Sequence, residues 1–171
     1  MILETERLTL RPLAEADSGP MHDILSDPDV MAHWDMAAIE DPDLTDAIIT
    51  SQIQSMQGGS ACYWAITRTE DGAFLGVCDL SEIDRWHHRG EVGFMLGRAA
   101  WGQGYGLEAM RAVIVEAAAM GLRRLSARTH VGNQRSEQLL TRLGFQMEGY
   151  LRGHVQRDGE RRDCRLFGLL L

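Results

Sequence analysis

The chain of 171 residues contains no lysine; all 17 of its basic residues are arginine. A Walker A loop closes on a lysine, and Schiff-base catalysis uses a lysine amine, so both classes are excluded. There is no apolar run near the roughly 20 residues that a membrane-spanning helix needs, and no membrane partner is expected. The opening "MILETERLTL" has acids where a secretory signal has a basic segment and then an apolar core, which points to the cytoplasm. Cysteine is scarce. Cys62, Cys78 and Cys164 are odd in number and widely spaced, which fits buried free thiols and gives neither a disulfide framework nor a metal site. A formal charge of −8 argues against nucleic acid as a partner. No repeat or low-complexity linker interrupts residues 1–171, which read as a single domain.

The charge is unevenly placed. Residues 1–67 carry twelve acids against Arg7 and Arg11, whereas residues 68–171 carry fifteen arginines against thirteen acids. Most of these acids read as a solvated surface, but the split leaves room for an acidic side facing a cation and a basic side facing an anion.

Periodicity gives the elements. "ERLTLRPL" alternates as a half-buried strand; residues 14–26 read as a helix that "SDPD" stops. Residues 41–56 are a second helix, with Leu44, Ile48, Ile49, Ile53 and Met56 as its apolar stripe. Strands follow at 62–68, 73–84 and 91–96, then an amphipathic helix at 107–119 and a strand at 123–130. A short helix begins at Asn133 and ends at Gly144, and two closing strands flank the turn "RDGE". The order β-α-α-β-β-β-α-β-α-β-β, with one βαβ unit at 91–130, predicts an α/β (α+β) fold: a mixed sheet with helices on both faces.

One segment is richer in glycine than a turn requires. In "WGQGYGLEAM" (101–110), Gly102, Gly104 and Gly106 stand directly before the helix at 107–119. A helix start presents unpaired N–H groups and partial positive charge, and glycine lets a ligand approach them closely. The pairing predicts a phosphate site that needs no cationic side chain. "GYGLEA" also fits the G-x-G-x-x-A dinucleotide fingerprint, but from Ala117 to Ser136 there is no acid to hold a ribose.

"EVGFMLGRAAWGQGYGLEAM", "VGNQRSEQLLTRLGF" and "MEGYLRGHVQRDGERRDCRLFGLLL", with the opening "LETERLTLRPLAEAD", together resemble the GNAT superfamily of acyl-CoA N-acyltransferases, and within it the RimJ/RimL-type protein N-terminal acetyltransferases. The resemblance implies a mostly antiparallel twisted sheet and acetyl-CoA as cosubstrate, with no metal. It makes Trp101, Gly102, Gln103, Gly104, Tyr105 and Gly106 the pyrophosphate cradle. Trp101 occupies a position that is Gln or Arg across the superfamily, and Gln103 one that is often lysine in the subgroup. Met95 and Leu96 would offer backbone groups to the pantetheine arm. Asn133 would contact the cofactor as well as cap its helix, and Arg142 would reach a phosphate or lie solvated.

Acetyl transfer to an amine needs a proton acceptor for the ammonium and hydrogen-bond donors for the carbonyl oxygen. The resemblance puts Glu91 first as the base, with Asp79 and Asp84 behind it. The superfamily's tyrosine acid is replaced here by Leu140, which leaves Ser136 as the proton donor ahead of Tyr105 and Tyr150. His33, Trp34 and the acids Asp35, Glu40, Asp41, Asp43 and Asp46 lie near helices that line the acceptor site in the family. The acceptor is a protein N-terminal α-amine or a small amine (polyamine, amino acid or aminoglycoside), and a non-catalytic acyl-CoA-binding module is the alternative. The chain reads as a monomer or homodimer.

Overall fold

Alternating apolar side chains set the first strands. The computed structural model describes residues 1–171. A two-residue strand β1 (Leu3–Glu4), too short to show in the periodicity, precedes β2 (Leu8–Pro12). Leu8 and Leu10 are fully buried, while Thr9 and Arg11, which alternate with them, are not.

Three helices follow: α1 (Ser18–Leu25), α2 (Pro28–Met31) and α3 (Pro42–Gln57). The stop expected at "SDPD" is also a start. Asp27 accepts the Asp29 N–H at 2.9 Å and Pro28 opens α2, where its missing N–H costs nothing. Asp41 and Pro42 open α3 in the same way. The stripe expected on α3 packs inward at Ile48, Ile49, Ile53 and Met56 but not at Leu44. Leu44 is 55% exposed and Thr45 is buried instead, its hydroxyl 2.9 Å from His22 Nδ1 on α1. A hydroxyl with a partner can take a core position that apolar patterning alone assigns to leucine.

The remaining elements are β3 (Cys62–Arg68), β4 (Phe74–Asp84), β5 (Arg89–Leu96), α4 (Tyr105–Ala119), β6 (Arg124–His130), α5 (Gln134–Arg142), β7 (Gln146–Arg157) and β8 (Glu160–Leu170). One eight-stranded sheet runs in the order β1-β2-β3-β4-β5-β6-β8-β7. Every neighbouring pair is antiparallel except β5 and β6, joined through α4 as the βαβ unit predicts.

Each face of the sheet has its own core. Met110, Val113 and Ala117 of α4, with Leu140 of α5, pack on Cys78, Leu80, Val92 and Leu125. Met21, Ile24 and Leu25 of α1, with Ile49 of α3, pack on Ala65, Val77 and Met95 of the opposite face. The three cysteines are free; Cys78 and Cys164 are buried and Cys62 is half-buried. No helix is long and apolar enough to cross a membrane.

Candidate active site

β5 and β6 pair only over Arg89–Glu91 and Arg124–Ser126. Beyond Glu91 they diverge, so Val92–Leu96 has β4 on one side and no strand on the other. A groove of about 730 Å³ opens along this free edge, bounded by the 101–106 loop and by α5. A second pocket of about 360 Å³ lies against α1, α2 and α3. His33, Trp34, Phe94, Met95, Asn133 and Ser136 line both, so the two spaces meet where the strands part.

The glycine loop forms one wall of the groove. Gly102 and Gly104 have φ of 73° and 82°, a left-handed conformation that disfavours any side chain. Gly104 turns the chain so that α4 begins at Tyr105, two residues ahead of the apolar periodicity. The first internal bond of α4 runs from the Glu108 N–H to the Gly104 carbonyl at 3.1 Å. The N–H groups before it are therefore left to a ligand. Gly106 serves packing: a Cβ there would come within 2.9 Å of Leu139 on α5.

Two contacts that the sequence does not signal fix this loop. Arg7 donates from Nε to Glu108 Oε2 at 2.7 Å and from Nη1 to the Gln103 carbonyl at 3.1 Å, with its guanidinium 4.7 Å from the Tyr105 ring. Burial opposes ionisation of Glu108, but hydrogen bonds from Thr5 and Arg7 outweigh it and hold the carboxyl below its usual range. Trp101 donates its indole N–H to the Leu96 carbonyl at 2.8 Å, and the Arg135 guanidinium lies 4.4 Å from its ring. Arg135 thus reaches the groove from α5, a position to which no motif pointed.

Nine of the ten residues expected to hold the cofactor line this groove: Met95, Leu96, Trp101, Gly102, Gly104, Tyr105, Gly106, Asn133 and Arg142. Gln103 is the exception; its side chain donates back to the Ala99 carbonyl at 2.7 Å, within its own turn. Asn133 caps α5, its Oδ1 accepting the Ser136 N–H at 3.3 Å. Coenzyme A fits what is present: bare N–H groups at a helix start for a pyrophosphate, and a free strand edge for an extended amide-bearing arm.

Glu91 and Ser136 both line the second pocket. Asp79 lines it too, half-buried, one oxygen accepting the Ser81 hydroxyl at 2.9 Å. Burial, aided by the charge of Glu91, pushes the Asp79 carboxyl up to about 6. Asp84 is elsewhere, capping the 84–87 turn and pairing with His87 and Arg89. Tyr150 donates to Asp163 at 2.6 Å and lines neither space; Tyr105 lines only the groove. Leu140, where the superfamily has its tyrosine, is 1% exposed.

Of the early acidic stretch, only Asp35 reaches the second pocket, beside His33 and Trp34. Arg128 binds it at 2.7 Å and His130 at 2.8 Å. The Arg128 hydrogen bond, against burial and with help from His130, keeps the Asp35 carboxyl below its usual range. The pair ties the segment after α2 to β6, across the mouth where the strands part.

The chain is similar to known proteins in sequence and in fold. A family model described as "Acetyltransferase (GNAT) domain" matches residues 7–146. An uncharacterised N-acetyltransferase, p20 of Bacillus licheniformis, is 32% identical over 98% of this chain and 95% of its own length. The [ribosomal protein uS5]-alanine N-acetyltransferase of Escherichia coli is 33% identical over 65% of this chain and 58% of its own. Among solved structures, the spermidine N-acetyltransferase of Vibrio cholerae, in complex with CoA and spermine, superposes with a TM-score of 0.85 over 97% of this chain and 96% of that one, at 18% identity.

Proposed function

The chain belongs to the GNAT acetyltransferase family, and from that premise we propose which amine it acetylates and which residues do the work. It is an N-acetyltransferase that moves acetyl from acetyl-CoA to a primary amine. The acceptor on this reading is a protein N-terminal α-amine; RimJ/RimL-type enzymes are among its relatives, and the E. coli one is named for alanine of uS5. Such an enzyme works in the cytoplasm, and three free cysteines suit a reducing compartment.

The observation that carries this reading is the junction of groove and pocket at the β5–β6 split. A thioester threaded along the free edge of β5 ends beside Phe94 and Met95, where an amine from the other face can meet it. Unpaired backbone N–H groups of β5 then stabilise the charge that grows on the carbonyl oxygen. Glu91 is the catalytic carboxylate that draws the ammonium into the pocket. Ser136, at the start of α5, gives the leaving thiolate its proton. Arg142 and Arg135 take the phosphates at the outer end.

The test is thiol release from acetyl-CoA against peptides with free N-terminal alanine or serine, spermidine and free amino acids. Turnover of a peptide α-amine is the expected result; turnover of spermidine alone reassigns the acceptor to a small amine. Protection from heat by coenzyme A without thiol release from any amine identifies a binding module and ends the enzymatic reading for this chain.

A further inference from the structure

Asp79 stands opposite Gly93 in the β4–β5 ladder, and Ser81 stands opposite Glu91. Asp79 and Glu91 are therefore diagonal neighbours on one face of the sheet, about 7–8 Å apart at the backbone. Gly93 is what lets the Asp79 side chain lie flat over β5: a Cβ there would sit 2.5 Å from Asp79 Oδ1. The other oxygen, Oδ2, turns toward Ser81, the residue opposite Glu91. Neither carboxylate has a cationic partner. Arg128 and His130, the pocket's other basic groups besides His33, are both engaged by Asp35. Burial lowers the His33 pKa further, so His33 is neutral near pH 7. On the α3 wall, Gln52 Oε1 is buried without a hydrogen-bond partner. Two uncompensated carboxylates and an orphaned carbonyl oxygen in one pocket call for a ligand that is cationic and rich in N–H donors.

We propose that Asp79 is a second catalytic carboxylate: the substrate ammonium sits over Gly93 between Asp79 and Glu91, and Asp79 takes its proton. This rests on the acetyltransferase reading above and divides the work within its acceptor pocket. One ammonium proton passes to Asp79, leaving a neutral amine. The nitrogen lone pair forms the C–N bond to the thioester carbon as the C–S bond breaks. A second nitrogen proton reaches the departing thiolate through the Ser136 hydroxyl. Asp79 then gives its proton to water, so the products are an amide, a free thiol and one proton.

The environment of Asp79 suits it to this role. A carboxyl with a pKa near 6 is ionised at neutral pH, yet basic enough to accept a proton from an ammonium. Tyr63, on β3 opposite Asp79, has its own ionisation pushed up by burial and then by the Asp79 charge, so it remains a neutral phenol at the pocket edge.

The experiment is a pH profile of thiol release with an N-terminal alanine peptide, and with spermidine in parallel, for the wild type and three variants. In the wild type kcat/KM rises through an inflection near pH 6. Asp79→Asn removes that inflection and lowers kcat at pH 7 by about 100-fold or more, with recovery above pH 9. Glu91→Gln raises KM for the amine and moves the inflection to lower pH, since the charge that raises Asp79 is gone. Gly93→Ala displaces the Asp79 carboxylate and lowers kcat while coenzyme A still protects the protein from heat. This variant carries the test if Asp79→Asn fails to fold. An Asp79→Asn enzyme with kcat within three-fold of wild type and its inflection intact overturns the proposal, as does a Glu91→Gln enzyme that alone loses the inflection. If the wild type acetylates neither probe nor any other amine of the panel above, the acetyltransferase reading falls and takes this proposal with it. If a probe is acetylated and Asp79→Asn is unaltered, only the role of Asp79 falls.

Discussion

The indole N–H of Trp101 donates to the carbonyl of Leu96 across 2.8 Å. This bond ties the glycine loop to the end of β5, and so holds together the loop proposed to cradle the pyrophosphate and the strand edge proposed for the pantetheine arm. It also gives a role to Trp101, which stands where the superfamily has Gln or Arg. Trp101→Phe keeps the ring beneath Arg135 and loses only this bond. One net hydrogen bond is worth about 1 kcal/mol, so the coenzyme A Kd should rise about five-fold by calorimetry. An unchanged Kd shows that the loop holds its position without Trp101.

Gly104 sits at φ 82°, where a β-branched side chain is strained, although the space beside it is open except for Arg7 Nη2 at 3.5 Å. Gly104→Val should relax that turn, redirect the first N–H groups of α4, and abolish heat protection by coenzyme A. The far-ultraviolet circular dichroism should remain that of the wild type. Retained protection in Gly104→Val removes the cradle from this loop.

Asn133 uses Oδ1 to cap α5, which leaves its amide N–H groups free at the groove. Two substitutions separate these functions. Asn133→Asp keeps the cap and loses the donors, so stability holds while coenzyme A affinity falls about ten-fold. Asn133→Ala loses both, and costs about 1 kcal/mol of stability in a denaturant titration. Equal affinities in Asn133→Asp and wild type make Asn133 a cap only.

Asp79 imposes a pH dependence on stability. Its carboxyl is raised from 3.8 to about 6, so the folded state binds the proton more tightly than the unfolded chain does. That contribution is fully present below about pH 4 and is lost as pH rises through about 6. Two pKa units correspond to roughly 3 kcal/mol. Asp79→Asn should therefore raise Tm by several degrees at pH 7.5 and leave it unchanged at pH 4. Equal Tm values at pH 7.5 argue that Asp79 ionises without penalty.

The glycine loop was legible in the sequence as a helix start because its signal is contiguous: Gly102 and Gly104 take the left-handed turn before α4, although Gly106 falls inside the helix, and Asn133 caps α5 by its own short side chain. Strand β3 and the C-terminal ends of α4 and α5 also followed from periodicity and from Gly121 and Gly144. By contrast, Leu44 and Thr45 show that the stripe of α3 depends on a partner, His22, that lies on another helix.

The sequence by itself determined the helix starts at the glycine loop and at Asn133 and the order of elements in the βαβ unit, since each rests on signals that are local in the chain. Only the tertiary structure decided that the groove and the pocket meet. The parting of β5 from β6 after three paired residues joins groove to pocket, and it is a property of strands separated by a whole helix. The same holds for Asp79. Its place on a strand is legible, but its burial, its bed over Gly93 and its closeness to Glu91 come from strand register. Burial and through-space charge, which set proton affinity, are summed over neighbours in space and not along the chain.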